Sequence, residues 1–181
     1  MTELENRTLL YRLLSRLFAY PDAGRLAETE ELAQELPVAE VLRTSLQAPL
    51  IELQAEYTRL FINNYPELPC PPYESAYREG GLLGEAAVRV QQFYAEWGLE
   101  AAEELPDHLA LELEFVHFLD AQAAEADAEE AAQACTDRER FLKEHLLEWA
   151  PQLAADVQEE AGLALYREAA LLLTHLLAAE G

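Results

Sequence analysis

Apolar residues recur at helical spacing along nearly the whole chain. Leu10, Leu13, Leu14, Leu17 and Phe18 share one face of a predicted helix over residues 3–20. Thr2 is its expected cap, with Glu5 as capping-box partner, and Pro21 ends it. An Ala/Glu-rich helix follows to about residue 35, Pro37 interrupts it, and a short helix spans residues 38–47. Pro49 opens another, on which Leu53, Tyr57, Leu60 and Phe61 form a stripe. Gly80, Gly81 and Gly84 mark a turn into a helix that closes at Trp97 with Gly98 as its C-terminal cap. Asp107 reads as the cap of a helix starting at His108. That helix carries Leu109, Leu111, Leu113, Phe115, Val116, Phe118 and Leu119, is apolar nearly all round, and is therefore expected to be central. Thr136-Asp137-Arg138-Glu139 looks like a second capping box, opening a helix that Pro151 breaks. A last helix is expected over residues 153–179. The pattern predicts an all-α bundle of roughly six to eight helices, forming a single domain over residues 1–181.

The exception is the segment 63–77. Pro66, Pro69, Pro71 and Pro72 fall within it, so it reads as a stiff loop rather than a helix. Its end, Pro71-Pro72-Tyr73-Glu74-Ser75-Ala76-Tyr77, joins a rigid backbone to two tyrosines and an acid. Such a wall loses little entropy on binding a peptide. The Ala/Glu tract 121–134 reads as a solvated helix face or a connection between helices.

Charge narrows the partners. The 181 residues include 12 Lys+Arg and 35 Asp+Glu, a formal net charge of −23. Nucleic acid and anionic membrane surfaces are excluded as partners by repulsion. The composition is nevertheless 51% hydrophobic, which supplies a core. No apolar run reaches the roughly 20 residues needed to cross a bilayer. The acidic N-terminus lacks the basic and apolar regions of a secretory signal, so a cytoplasmic location is expected. Cys70 and Cys135 form no paired motif and suit a reducing compartment.

Catalytic signatures are sparse. The chain has no G-x-S-x-G, no phosphate-binding glycine loop and no H-E-x-x-H. Glu114-Phe115-Val116-His117 is a single E-x-x-H, whereas a di-iron bundle uses two, with further Glu ligands. A metal-dependent oxidoreductase built on Glu114 and His117 is thus the weaker alternative, beside a plain acidic helical scaffold. His108 and Glu112 stand four apart on one helix face and are expected to pair. With Asp107 they form a polar cluster suited to gripping a basic or amide-bearing ligand.

Three stretches carry a family resemblance. Glu56-Tyr57-Thr58-Arg59-Leu60-Phe61 precedes Pro69-Cys70-Pro71-Pro72-Tyr73-Glu74-Ser75-Ala76-Tyr77. Pro106-Asp107-His108-Leu109-Ala110-Leu111-Glu112-Leu113-Glu114-Phe115 opens the central helix, and Phe141-Leu142-Lys143-Glu144-His145-Leu146-Leu147-Glu148-Trp149-Ala150-Pro151 precedes the last. Together they resemble the TorD/DmsD/NarJ family of molybdoenzyme assembly chaperones. Two departures are Ile62-Asn63-Asn64-Tyr65-Pro66, where the family commonly has Gly-Pro, and Tyr73, where several relatives have Trp. The resemblance implies a non-enzymatic chaperone that binds the N-terminal leader, often twin-arginine, of a molybdopterin oxidoreductase catalytic subunit until its cofactor is inserted. It places leader binding at Leu60, Phe61, Pro71, Pro72, Tyr73, Pro106, Asp107 and His108. From side-chain chemistry, Asp107 and Glu74 are expected to meet guanidinium groups, Glu112 to join leader binding through the polar cluster, and His108 to tune binding near neutral pH. No stably bound cofactor is expected, any contact with the client's molybdopterin would be transient, and the chain would act as monomer or homodimer.

Overall fold

A computed structural model describes residues 3–64, 67–102 and 104–181, which fold as helices joined by short loops. The expected Thr2 cap and the loop position Pro66 lie outside the described residues. The α-helices are α1 (Glu3–Leu17), α2 (Ala23–Glu35), α3 (Glu40–Ser45), α4 (Leu50–Tyr57), α5 (Glu74–Glu79), α6 (Glu85–Glu96), α7 (Leu109–Glu125), α8 (Ala128–Phe141), α9 (Leu147–Glu160) and α10 (Ala164–Ala178). A wide π turn, Thr58–Ile62, prolongs α4, and another, Leu142–Leu146, joins α8 to α9. Helix α7 packs between α1 and α8, while α10 lies against α9, α1 and α3. This central place accounts for its apolar surround: Leu109, Leu113, Phe115, Val116 and Leu119 are all buried.

Aromatic residues tie the layers together. Tyr57, Phe61 and Tyr166 pack edge to face and tilted, with Phe18 at 6.0 Å from Phe61. Phe93, Phe115 and Phe141 form a second nest. Such pairs add about 0.5–1.5 kcal/mol each beyond the area they bury.

Four boundaries differ from the sequence expectation, each for an identifiable reason. Thr136 lies inside α8 and bonds back to the Ala132 carbonyl; the cap is Asp127, which accepts from the Glu129 and Glu130 N–H groups at 3.0 and 3.1 Å. Pro151 lies within α9 instead of ending a helix. The π turn just before α9 relaxes the i→i−4 ladder with which a proline ring would clash. The last helix starts at Ala164, because the chain breaks at Ala161–Leu163. There Glu56 of α4 accepts from the Gly162 N–H and from the Leu163 N–H at 3.3 Å, while Arg59 donates to the Glu160 carbonyl at 2.6 Å. Finally, the end of the proline loop folds into α5. Its cap is remote: Asp107 Oδ2 accepts from the Ser75 N–H at 2.9 Å.

Candidate functional site

The proline loop meets the start of α7 through backbone bonds. Leu109 N–H donates to the Pro72 carbonyl at 2.9 Å, Glu74 N–H to the Asp107 carbonyl at 3.0 Å, and Tyr73 and His108 form an isolated antiparallel bridge. Extended backbone alternates its side chains. Tyr73 and His108 therefore face one way, their rings packed edge to face at 5.1 Å, and Glu74 and Asp107 face the other, into the interior.

The outward side opens on a groove of about 540 Å³. Its floor and walls are Ala19 and Tyr20 after α1, Tyr57, Phe61 and Ile62, the Pro72–Tyr73 strand, and His108, Ala110 and Leu111 of α7. Tyr20 and Ile62 are exposed large apolar residues within it. Among the described residues, the acids Glu100, Glu104 and Glu114 stand around it with Arg16 and Arg25. Both arginines are engaged, Arg16 with Glu28 and Glu114 at 3.0 and 3.2 Å, and Arg25 with Asp22 at 3.1 Å. Glu104 accepts from the Tyr73 hydroxyl at 3.0 Å.

The residues expected at the site divide into three groups. Phe61, Pro72, Tyr73 and His108 line the groove. Leu60 is wholly in the core, its carbonyl accepting from the Cys70 N–H; Pro71 is half-buried behind the wall; Pro106 faces a separate apolar hollow beside Leu83 and Val88. Glu74, Asp107 and Glu112 are fully buried and present no carboxylate to the groove. Their partners are internal: Arg78 and His145 for Glu74, the Ser75 N–H for Asp107, and the Trp149 indole N–H, 3.1 Å away, for Glu112. The expected His108–Glu112 pair is absent, since His108 Nδ1 accepts from the Ala110 N–H at 3.1 Å and so caps α7 itself. Burial lowers the His108 pKa to about 4, so the imidazole is neutral near neutral pH and does not serve as the expected switch there.

The groove adds Tyr20, Ile62, Leu111, Glu100, Glu104 and Glu114 to the candidate residues. Sequence offered a faint signal for Leu111 alone: a helix apolar on every face must leave some apolar side chain at an edge. Of the two residues of the metal-site alternative, His117 Nδ1 lies 3.1 Å from the Thr8 carbonyl and Glu114 pairs with Arg16. Among the described residues no group of three His, Cys, Asp or Glu side chains could hold a metal. Both cysteines are free, Cys70 buried and Cys135 exposed, and burial pushes the Cys70 thiol up to about 12. No helix of the described residues is long and apolar enough to cross a membrane.

Comparison with known proteins converges on one family. The model of the nitrate reductase delta subunit family matches residues 22–155. The chaperone protein TorD of Vibrio cholerae is 30% identical over 158 residues, 81% of this chain and 70% of that protein. The selenate reductase assembly chaperone protein of Thauera selenatis is 32% identical over 154 residues, 78% of this chain and 72% of its own length. A solved structure from Archaeoglobus fulgidus, assigned to redox enzyme maturation, superposes with a TM-score of 0.74 at 30% identity, covering 95% of this chain and 93% of that one.

Proposed function

The chain belongs to the nitrate reductase delta subunit family of assembly chaperones, and from that premise we propose that it binds the N-terminal leader of a molybdopterin oxidoreductase catalytic subunit and holds that subunit for cofactor insertion. It is a maturation chaperone, not a catalyst, as its relatives are named. In this reading residues 1–181 form one chaperone domain, acting in the cytoplasm on a client whose molybdopterin it touches at most in passing.

The observation that carries the leader reading is the groove. Its two walls, Pro72–Tyr73 and His108–Leu111, come from two of the three stretches that hold the resemblance, and its floor is aromatic and aliphatic. An apolar leader segment fits there in helix-in-groove fashion. The wall is preorganised by the two backbone hydrogen bonds of the Tyr73–His108 bridge and by the proline backbone, so little ordering entropy remains to be lost. Leader arginines are met by Glu100, Glu104 and Glu114 at the rim, which replace the buried Glu74 and Asp107 in that role.

Mapping by NMR tests the assignment. Titrating a leader peptide into ¹⁵N-labelled protein is expected to shift the amide signals of Phe61, Ile62, Tyr73, His108 and Leu111 while those of Glu129 and Glu130, on the far acidic face, stay in place. Shifts confined to the acidic face would refute it.

A further inference from the structure

Directly behind the groove wall, carboxyl groups converge where water does not reach. Glu74, Asp107 and Glu112 are each fully buried. The titratable and charged groups around Glu112 come from every element packed there. Helix α5 supplies Glu74 and, at its rim, Arg78; the turn before α7 supplies Asp107; α6 supplies Tyr94; the π turn before α9 supplies His145, beside the Trp149 indole.

Three buried carboxylates with one rim arginine cannot all be ionised at tolerable cost, because a low-dielectric interior magnifies their repulsion. Geometry decides which one keeps a proton. Glu74 has Arg78 on one oxygen and His145 Nδ1 2.8 Å from the other. Asp107 takes the Ser75 N–H on Oδ2, and its Oδ1 is buried without a donor. Glu112 is placed alike, with the neutral Trp149 indole on Oε2 and no donor on Oε1, but its carboxyl lies within hydrogen-bond reach of the Glu74 carboxyl, where one proton between the two removes the repulsion.

We propose that Glu112 keeps its proton at neutral pH and donates it to Glu74, and that this shared proton latches α5, and with it the Pro72–Tyr73 wall of the groove, onto α7. Burial, together with the Glu74 carboxylate, raises Glu112 well above the ordinary carboxylate range, in the direction this requires. Glu74 directly follows Tyr73, and the wall's own bonds, Leu109 N–H to Pro72 and Glu74 N–H to Asp107, adjoin the pair. Loss of the proton sets a second buried negative charge against Glu74 and pushes α5 and α7 apart. The sign follows: the native state holds a proton that the unfolded chain has released, so this contribution to stability is complete below the ordinary glutamate pKa and declines as pH rises through the raised one. The latch stands whether or not the groove takes a leader.

Infrared spectroscopy of the full-length protein at neutral pH tests the proton. The carbonyl stretch of a protonated carboxyl is expected in the wild type and absent from Glu112→Gln. Its absence from the wild type, or its persistence in Glu112→Gln, overturns the assignment. Amide hydrogen exchange tests the latch. Raising the pH until that band is lost is expected to speed exchange at Ser75 and Leu109, relative to Glu112→Gln at the same pH, by about tenfold or more for one proton per pH unit. Equal rates overturn it. Should Glu112→Gln fail to fold, the wild type decides alone: loss of the band must coincide with faster exchange at Ser75 and Leu109 against unchanged amides in α10, and uniform exchange overturns the latch.

Discussion

Asp107 precedes α7 in sequence, yet its carboxylate reaches Ser75 at the start of α5 and lies wholly buried. It holds the groove wall by capping a helix 32 positions away in the chain. Asp107→Ala is expected to destabilise the fold by about 1–3 kcal/mol, the sum of a lost cap and an orphaned N–H, measured by urea unfolding. Asp107→Asn keeps an acceptor and is expected to lose clearly less; equal losses would mean the carboxylate charge, not the cap, matters. A sequence reading assigns such a residue to the helix it adjoins, because spacing along the chain is all it sees. A cap satisfies whichever N–H is near in space. The same limit hid the fate of Glu74 and Glu112. Their acidity was legible, and so was their place in the motif, but burial depends on α5 and α9 closing over them.

At the scale of elements, the junction of α9 and α10 is held from outside by α4. Glu56 accepts from Gly162 and Leu163, and Arg59, bound to Glu56 at 2.8 Å, ties the Glu160 carbonyl. The Arg59 guanidinium and the Gly162 N–H hold the Glu56 carboxyl below its ordinary range. A depressed carboxylate stabilises above its unfolded pKa, and that stabilisation is lost as pH falls through the folded one. Glu56→Ala is therefore expected to cost about 1–2 kcal/mol near neutral pH and progressively less in acid, read from melting curves across the acidic range. A cost independent of pH would refute the clamp. Helix type and the proline loop were plain from period and composition, and α1, α2, α6 and α7 fell near their expected bounds. The rod from α8 through α9 was not. Its π turn has no period of its own, and it lets Pro151 sit in a helix where proline usually marks an end.

Across the whole molecule, the −23 charge serves more than one purpose. Exposed acids such as Glu31, Glu35, Glu125, Glu129 and Glu130 clothe solvent faces. Some of the charge counted from sequence is turned inward, to cap helices or to hold a proton. Among the described residues, Glu100, Glu104 and Glu114 are the acids at the groove. The all-α class and the family motifs could be read from the chain. The groove could not, because it forms only where the end of α1, the turn after α4, the proline strand and α7 meet. On the proposed leader reading, long-range attraction by the acidic surface would quicken encounter with an arginine-bearing leader, and salt would screen it over about 10 Å at 0.1 M. The most direct test is calorimetric titration of the leader peptide from a molybdopterin oxidoreductase subunit encoded beside this chain, into the wild type and Leu111→Glu. Saturable one-to-one binding is predicted for the wild type, weakened by added salt and reduced by about tenfold or more in Leu111→Glu at an unchanged melting temperature, since a charge at the groove floor opposes apolar burial. Heat of dilution alone with the wild type, or equal affinity in Leu111→Glu, would contradict it.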